Sequence, residues 1–383
     1  MPIRIFWCQP VGVMDYRLPF FEKAQRAFDI TFLFHQRGPV NHKLNCTYSS
    51  SISRIIDNAL LIKMIGLSVL GPADFQSMYS SIQRCNVFVS SFVWNSYTLV
   101  GLVLCKLFRK KVIVWEEMHV VPPGLRFGIQ HALIRMALKH IDAFFVCGES
   151  QNHFLISNGV APKKLFVTNE YPGHVYSDVQ PRPVALPFNA HEKVILYLGR
   201  LVEAKGVEYL IKAFSLVEKQ CNDATLVIVG DGPLRKDLEN LARQLGLRRI
   251  HFTGYVGDVH VKSYLFGRSC MVIVPSIITE KPKEGGSREA GSMVALEALS
   301  AGKPVISTDA VPHCLAFIKD GINGYRVPQR NVDALADKIM RLLDVPIMPT
   351  QVLSTFREIK GHDYQVEQLQ EAVSYVIREK TNT

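Results

Sequence analysis

The residues best suited to chemistry lie in the second half of the chain. Glu289 and Glu297 are two carboxylates with seven residues between them, in Glu289-Ala290-Gly291-Ser292-Met293-Val294-Ala295-Leu296-Glu297-Ala298. The small residues Gly291 and Ser292 precede a helical pattern running to about Ala301. The first turn of such a helix, around Ser292, Met293 and Val294, presents unpaired N–H groups to an anion. Glu297 falls one to two turns inside it and Glu289 just before it. Both carboxylates can therefore border one ligand, one accepting ribose hydroxyls and the other holding a sugar.

A second group supplies positive charge. In Tyr197-Leu198-Gly199-Arg200-Leu201-Val202-Glu203-Ala204-Lys205-Gly206 a strand ends at Gly199, and Arg200 and Lys205 flank the turn before the next helix. A forked guanidinium beside a point-charge ammonium suits a diphosphate, although such a pair is also common on plain surface. Val229-Gly230-Asp231-Gly232-Pro233 reads as a tight glycine turn with a proline at a helix start; a purely structural turn explains it equally well. Phe252-Thr253-Gly254-Tyr255-Val256 is a further strand end, and the backbone at Gly254, Tyr255 and Val256 can hydrogen-bond a base.

These segments need strand ends at a common edge, and the pattern provides them. Short apolar runs alternate with longer helical patterns, as in parallel sheets built from βαβ units. In the first half the runs are Ile3–Trp7, Ile30–Phe34, Val87–Ser90, Val112–Trp115, Ala143–Val146 and Leu165–Thr168. A stretch punctuated by Pro172, Pro181, Pro183 and Pro187 reads as a linker. A second series follows: Val194–Leu198, Thr225–Val229, Ile250–Thr253, Met271–Val274, Val305–Ser307 and Gly324–Val327. The expected fold is α/β, two tandem Rossmann-like doubly wound domains, residues 1–182 and 183–356, facing across a cleft. An amphipathic helix within about 357–383, with Tyr364, Val366, Leu369, Val373 and Val376 at helical spacing, is expected to pack back on the first domain.

The order GRLVEAKG, VGDGP, FTGYV, PS, E-x7-E-A, AGKPVI and DGINGYRVP over roughly residues 193–345 resembles the C-terminal domain of the family 4 retaining glycosyltransferases of GT-B architecture. The resemblance implies that Arg200 and Lys205 neutralise the donor diphosphate, Glu297 holds the ribose and Glu289 contacts the transferred sugar. Backbone N–H groups around Ser292–Val294 would bind phosphate, and the Gly254–Val256 loop would flank the base. In the first half, the strand leading to His119 and the segment Phe145–Gln151 are similar to that family's N-terminal domain. They imply a place for His119 near the reacting sugar; Glu116 and Glu117 are weaker candidates. The chain departs from the pattern in four places. The usual glycine pair after the first strand is reduced to Gly12, Gly291-Ser292 replaces an aromatic-glycine, Pro312-His313 stands for Pro-Glu, and Ile277–Arg288 is extended.

Composition narrows the class further. The 383 residues are 48% hydrophobic and 20% charged, a balance that excludes disorder. The eight cysteines are scattered without a metal-ligand spacing, so no structural zinc and a reducing compartment are expected. No Asp-x-Asp occurs to hold a divalent ion on a diphosphate, and neither half carries G-x-G-x-x-G after its first strand. Metal-independent transfer with no cofactor is the expectation, and a dinucleotide oxidoreductase is disfavoured. A nucleotide-sugar 2-epimerase and an inactive sugar-nucleotide binding protein are the alternatives.

Of the net charge of +10, residues 1–182 contribute 19 Lys and Arg against 11 Asp and Glu. That excess suits an anionic membrane surface or acceptor, and no nucleic-acid motif accompanies it. No apolar run reaches the roughly 20 residues of a membrane span, and no export signal is read at the N-terminus. The expected setting is the cytosol, with peripheral attachment to the cytosolic membrane face through the amphipathic stretch Ser53–Leu70. The expected role is surface-polysaccharide or glycolipid assembly, using a glycan or lipid-linked acceptor and a uridine donor, with guanosine as the alternative.

Overall fold

The computed structural model describes residues 2–9, 15–35, 44, 46–49, 70–91, 93, 95–116, 125–185, 189, 191–279 and 293–378. The chain forms two compact units, one of residues 1–173 with 360–383, the other of residues 174–359. Gly12, His119, Glu289, Gly291 and Ser292 lie outside the described residues, as do Glu117, residues 53–69 and residues 280–288.

The first unit is a seven-stranded parallel sheet of order β3-β2-β1-β4-β5-β6-β7. Its strands are β1 (Arg4–Gln9), β2 (Asp29–His35), β3 (Cys46–Ser49), β4 (Val87–Ser91), β5 (Lys111–Glu116), β6 (Ala143–Cys147) and β7 (Leu165–Thr168). Most of these strands are apolar along their whole length because parallel strands are covered on both faces. The edge strand β3 has no counterpart in the sequence reading. Its four residues, Cys-Thr-Tyr-Ser, are too few and too polar to give a periodic signal, and it is identified only by its pairing with Phe32–His35 of β2.

Helices α1 (Leu18–Ala27), α2 (Pro72–Arg84), α3 (Ser96–Leu107), α4 (Leu125–Leu138) and α5 (Glu149–Ser157) connect these strands. Phe20, Phe21 and Ala24 of α1 pack on one face of the sheet with Trp7, Phe32, Trp115 and Phe145. Several of these aromatic pairs meet edge to face, such as Trp7–Phe21 at 5.5 Å. The other face is covered by α2, α3, α4 and α5 through residues such as Met78, Leu104, Ile134 and Leu155.

The second unit is a six-stranded parallel sheet of order β10-β9-β8-β11-β12-β13. Its strands are β8 (Lys193–Leu198), β9 (Ala224–Val229), β10 (Ile250–Gly254), β11 (Ser269–Val274), β12 (Val305–Thr308) and β13 (Gly324–Val327). Among the described residues six helices accompany it: α6 (Val207–Glu218), α7 (Arg235–Gln244), α8 (Val259–Arg268), α9 (Met293–Ser300), α10 (Pro312–Phe317) and α11 (Val332–Asp344), followed by α12 (Pro349–Arg357). Side-chain caps set several starts. The Asp258 carboxylate accepts the backbone N–H groups of His260 and Val261 at α8, and Asn331 accepts that of Ala334 at α11.

The first domain boundary differs from the sequence reading. The division falls between Gly173 and His174, not at 182, because residues 174–182 are strapped onto the second unit. The Tyr176 and Ser177 N–H groups donate to the Ser300 Oγ and carbonyl, each at 2.9 Å. Ser263 Oγ donates to the Val179 carbonyl, and Arg182 pairs with Asp258 at 2.6 Å. The terminal helix α13 (His362–Arg378) returns to the first unit, where Val366, Leu369, Ala372, Val373 and Val376 enter the core formed by α1.

Candidate functional site

In a doubly wound sheet the ligand crevice opens at the carboxyl ends of the strands, where the strand order reverses. In the second unit that point lies between β8 and β11. The order β10-β9-β8-β11 sets the carboxyl ends of four strands side by side; three of the segments singled out from the sequence leave β8, β9 and β10 there.

The loop after β8 carries Arg200 and Lys205, and its neighbours hold it on both sides. Toward β11, Gly206 adopts φ +61°, and a Cβ placed on it would lie 2.0 Å from the Pro275 carbonyl oxygen. The Ile277 N–H donates to the Ala204 carbonyl at 2.9 Å just beyond. Toward β9, a Cβ on Gly230 would lie 1.8 Å from the Gly199 carbonyl oxygen. There the Leu201 N–H donates to Asp231 and the Leu234 N–H donates back to Leu201. The VGDGP segment is thus the structural clamp of its neighbour, the plainer of its two readings. The Tyr197 hydroxyl adds a bond to the Arg200 carbonyl at 2.9 Å. On this braced loop Arg200 is exposed and Lys205 half-buried. A fixed backbone carrying two cations suits a diphosphate, whose charge they can meet without reorganising the loop.

The loop after β10 continues the edge. The Gly254 carbonyl accepts the Gly230 N–H at 2.8 Å, and Gly254 has φ +80°. The turn leaves Tyr255 80% exposed, with Val256 half-buried beside it. An aromatic side chain so exposed at the strand ends can stack on a planar base.

Met293 and Val294 open α9 and are half-buried. Glu297 follows in the second turn. Burial raises its pKa, and the ammonium of Lys262 on α8 opposes that rise. The carboxylate also bears on Tyr176, whose hydroxyl is raised first by burial and then by the charge of Glu297. Lys262 was not anticipated. A single lysine inside a helical pattern carries no signal, and its role depends on the fold bringing its charge within range of Glu297.

In the first unit Glu116 is buried, and its Oε2 accepts the Val93 N–H at 2.8 Å. It thereby ties the end of β5 to Val93, just after β4. A cavity of about 400 Å³ lined by Tyr176, Tyr264 and Arg268 lies by the start of β11, at the opposite end from the Arg200 loop.

The glycosyl transferases group 1 family matches residues 180–357. An uncharacterized glycosyltransferase of Methanocaldococcus jannaschii is 38% identical over 153 residues, 40% of this chain and 36% of that protein. The alpha-D-kanosaminyltransferase of Streptomyces kanamyceticus is 30% identical over 187 residues, 49% of this chain and 45% of its own length. The chain thus spans less than half the length of these two relatives. Among solved structures, Anabaena HepE in complex with UDP superposes with a TM-score of 0.70 at 14% identity, covering 97% of this chain and 100% of that one. At that identity the likeness concerns the fold, which is GT-B. Residues 180–357 thus match the glycosyl transferases group 1 family, and the chain as a whole has the GT-B fold.

Proposed function

We propose that this chain is a retaining glycosyltransferase that moves a hexosyl unit from a nucleotide-diphosphate sugar, with UDP the favoured nucleotide, onto a glycan or lipid-linked acceptor at the cytosolic side of a membrane. One observation carries the reading: the Arg200–Lys205 loop is clamped at the switch point of the second sheet, through Gly206 against Pro275 and Leu201 against Asp231. Relatives named as glycosyltransferases support the reaction class. The UDP bound in the Anabaena structure supports the choice of nucleotide. The basic excess of the first half supports an anionic or lipid-linked acceptor.

In this reading the bond from the sugar anomeric carbon to the diphosphate breaks as the acceptor oxygen bonds to the same face. The acceptor proton passes to a leaving phosphate oxygen. Negative charge builds on the departing diphosphate, and Arg200 and Lys205 meet it without a metal. Glu297 receives the ribose hydroxyls, Tyr255 flanks the base, and the α9 N-terminus faces phosphate.

A thermal-shift panel of UDP, GDP and ADP with and without EDTA tests the donor site. A shift for UDP that persists in EDTA is expected; no shift with any nucleotide would overturn the assignment. Release of UDP only when an acceptor is present separates transfer from 2-epimerisation.

A further inference from the structure

The charges of the first unit are unevenly placed. Helices α2, α3 and α4 contain one acidic residue between them, Asp74. It is buried and accepts the Tyr97 hydroxyl at 2.9 Å. The exposed charges described on these helices are therefore all positive. Lys106 on α3 and Arg135 on α4 are exposed, and Arg109 and Lys139 follow the two helix ends. None of these four bases forms an ion pair among the described residues.

The outer positions of α3 and α4 are also apolar where a surface helix is normally polar. Val103 and Leu107 on α3 are each 69% exposed, and Met136 on α4 is 62% exposed with Leu133 beside it in the same helix. These four are among eleven large hydrophobic side chains exposed in the described chain, so the apolar exposure is concentrated here. The inner faces of both helices are already spent on the core, through Leu104, Cys105, Ile134 and Ala137. The outer residues are thus surplus to folding.

We propose that the outer face of α3 and α4 is a docking surface for an anionic phospholipid bilayer. Apolar side chains flanked by bases and no acids match an interface with acyl chains behind anionic headgroups. A second copy of this face would oppose base to base, which disfavours self-association. The surface lies on helices of the first unit outside the stretch 53–70, whereas the donor site belongs to the second unit.

Flotation with vesicles of phosphatidylcholine alone, or mixed with phosphatidylglycerol, tests this on the full chain. Binding to the mixed vesicles only, weakening with salt, is expected. Removing charge at about fivefold per base, the triple variant Lys106→Ala, Arg135→Ala, Lys139→Ala should lower partitioning roughly a hundredfold. The pair Val103→Asp and Met136→Asp should abolish it. An unchanged melting temperature and an unchanged UDP shift confirm that each variant is folded. Equal binding to neutral vesicles, or a triple variant that binds like the parent, would overturn the proposal. So would absent vesicle binding with self-association that Met136→Asp removes, which would identify a second copy as the occupant.

Discussion

Gly206 and Pro275 approach so closely that no side chain fits between them: a Cβ on Gly206 would lie 2.0 Å from the Pro275 carbonyl oxygen. The contact joins the loop after β8 to the loop after β11 across the point where the strand order reverses. It fixes where Arg200 and Lys205 stand relative to the carboxyl end of β11.

Gly206→Ala should therefore cost both stability and donor affinity. Strain at φ +61° adds to a backbone clash that no rotamer relieves, for a loss of about 2–4 kcal/mol. Gly246→Ala is the matched control: Gly246 has φ +70° but open space around its Cα, and about 1 kcal/mol is expected. Melting temperatures of the two variants, with and without UDP, make the comparison.

Arg200→Ala and Lys205→Ala should each lower kcat about a hundred- to a thousandfold, the usual cost of removing a preorganised charge-stabilising group. Arg200 is exposed, so its variant should keep the parental melting temperature. Arg200→Lys should recover only part of the rate, because a point charge replaces a fork. Steady-state kinetics of UDP release gives the ratio; undiminished turnover in the double alanine variant would remove the cations from the mechanism.

The buried carboxylate of Glu297 predicts a particular pH dependence. Its pKa is raised in the folded state, so the folded protein binds this proton more readily than the unfolded chain does. The associated stability is present at acid pH and lost as pH rises through the raised value. Glu297→Gln should therefore melt above the parent at neutral pH, by about 2–4 °C for each kcal/mol recovered, with the gap closing as pH falls. The same variant should lose donor affinity. Lys262→Met removes the cation that holds the Glu297 pKa down, so the acid limb of UDP affinity should move to higher pH. Calorimetric titration across the acid range reads both variants.

Leu369 is fully buried in the core of the first unit although it lies near the chain's end. Leu369→Ala should cost about 2–5 kcal/mol, the usual range for truncating a buried leucine. UDP stabilises the unit that binds it. Melting with saturating UDP should therefore separate two transitions, with the variant moving the one that UDP leaves in place.

Much of this architecture is legible in the chain itself. Runs such as Val194–Leu198 and Thr225–Val229 are apolar throughout because a parallel sheet buries both faces, so the strands announce themselves locally. The glycines of GRLVEAKG and VGDGP mark the turns for the same local reason: glycine adopts turn backbones at less cost than any other residue. Gly206, Gly230 and Gly254 were legible as turn residues, but their partners Pro275, Gly199 and Gly230 were not, since each partner lies on another strand's loop. Residues 174–182 read as a linker because prolines suppress periodicity; their attachment to Ser300, Ser263 and Asp258 rests on contacts distant in sequence. Glu116 offered a carboxylate near the strand ends, and only packing showed it engaged with Val93. Lys262 gave no sign at all. Its influence on Glu297 arises because the fold brings the two charges within range of each other, and a sequence records residue types, not the distances that let one charge shift another.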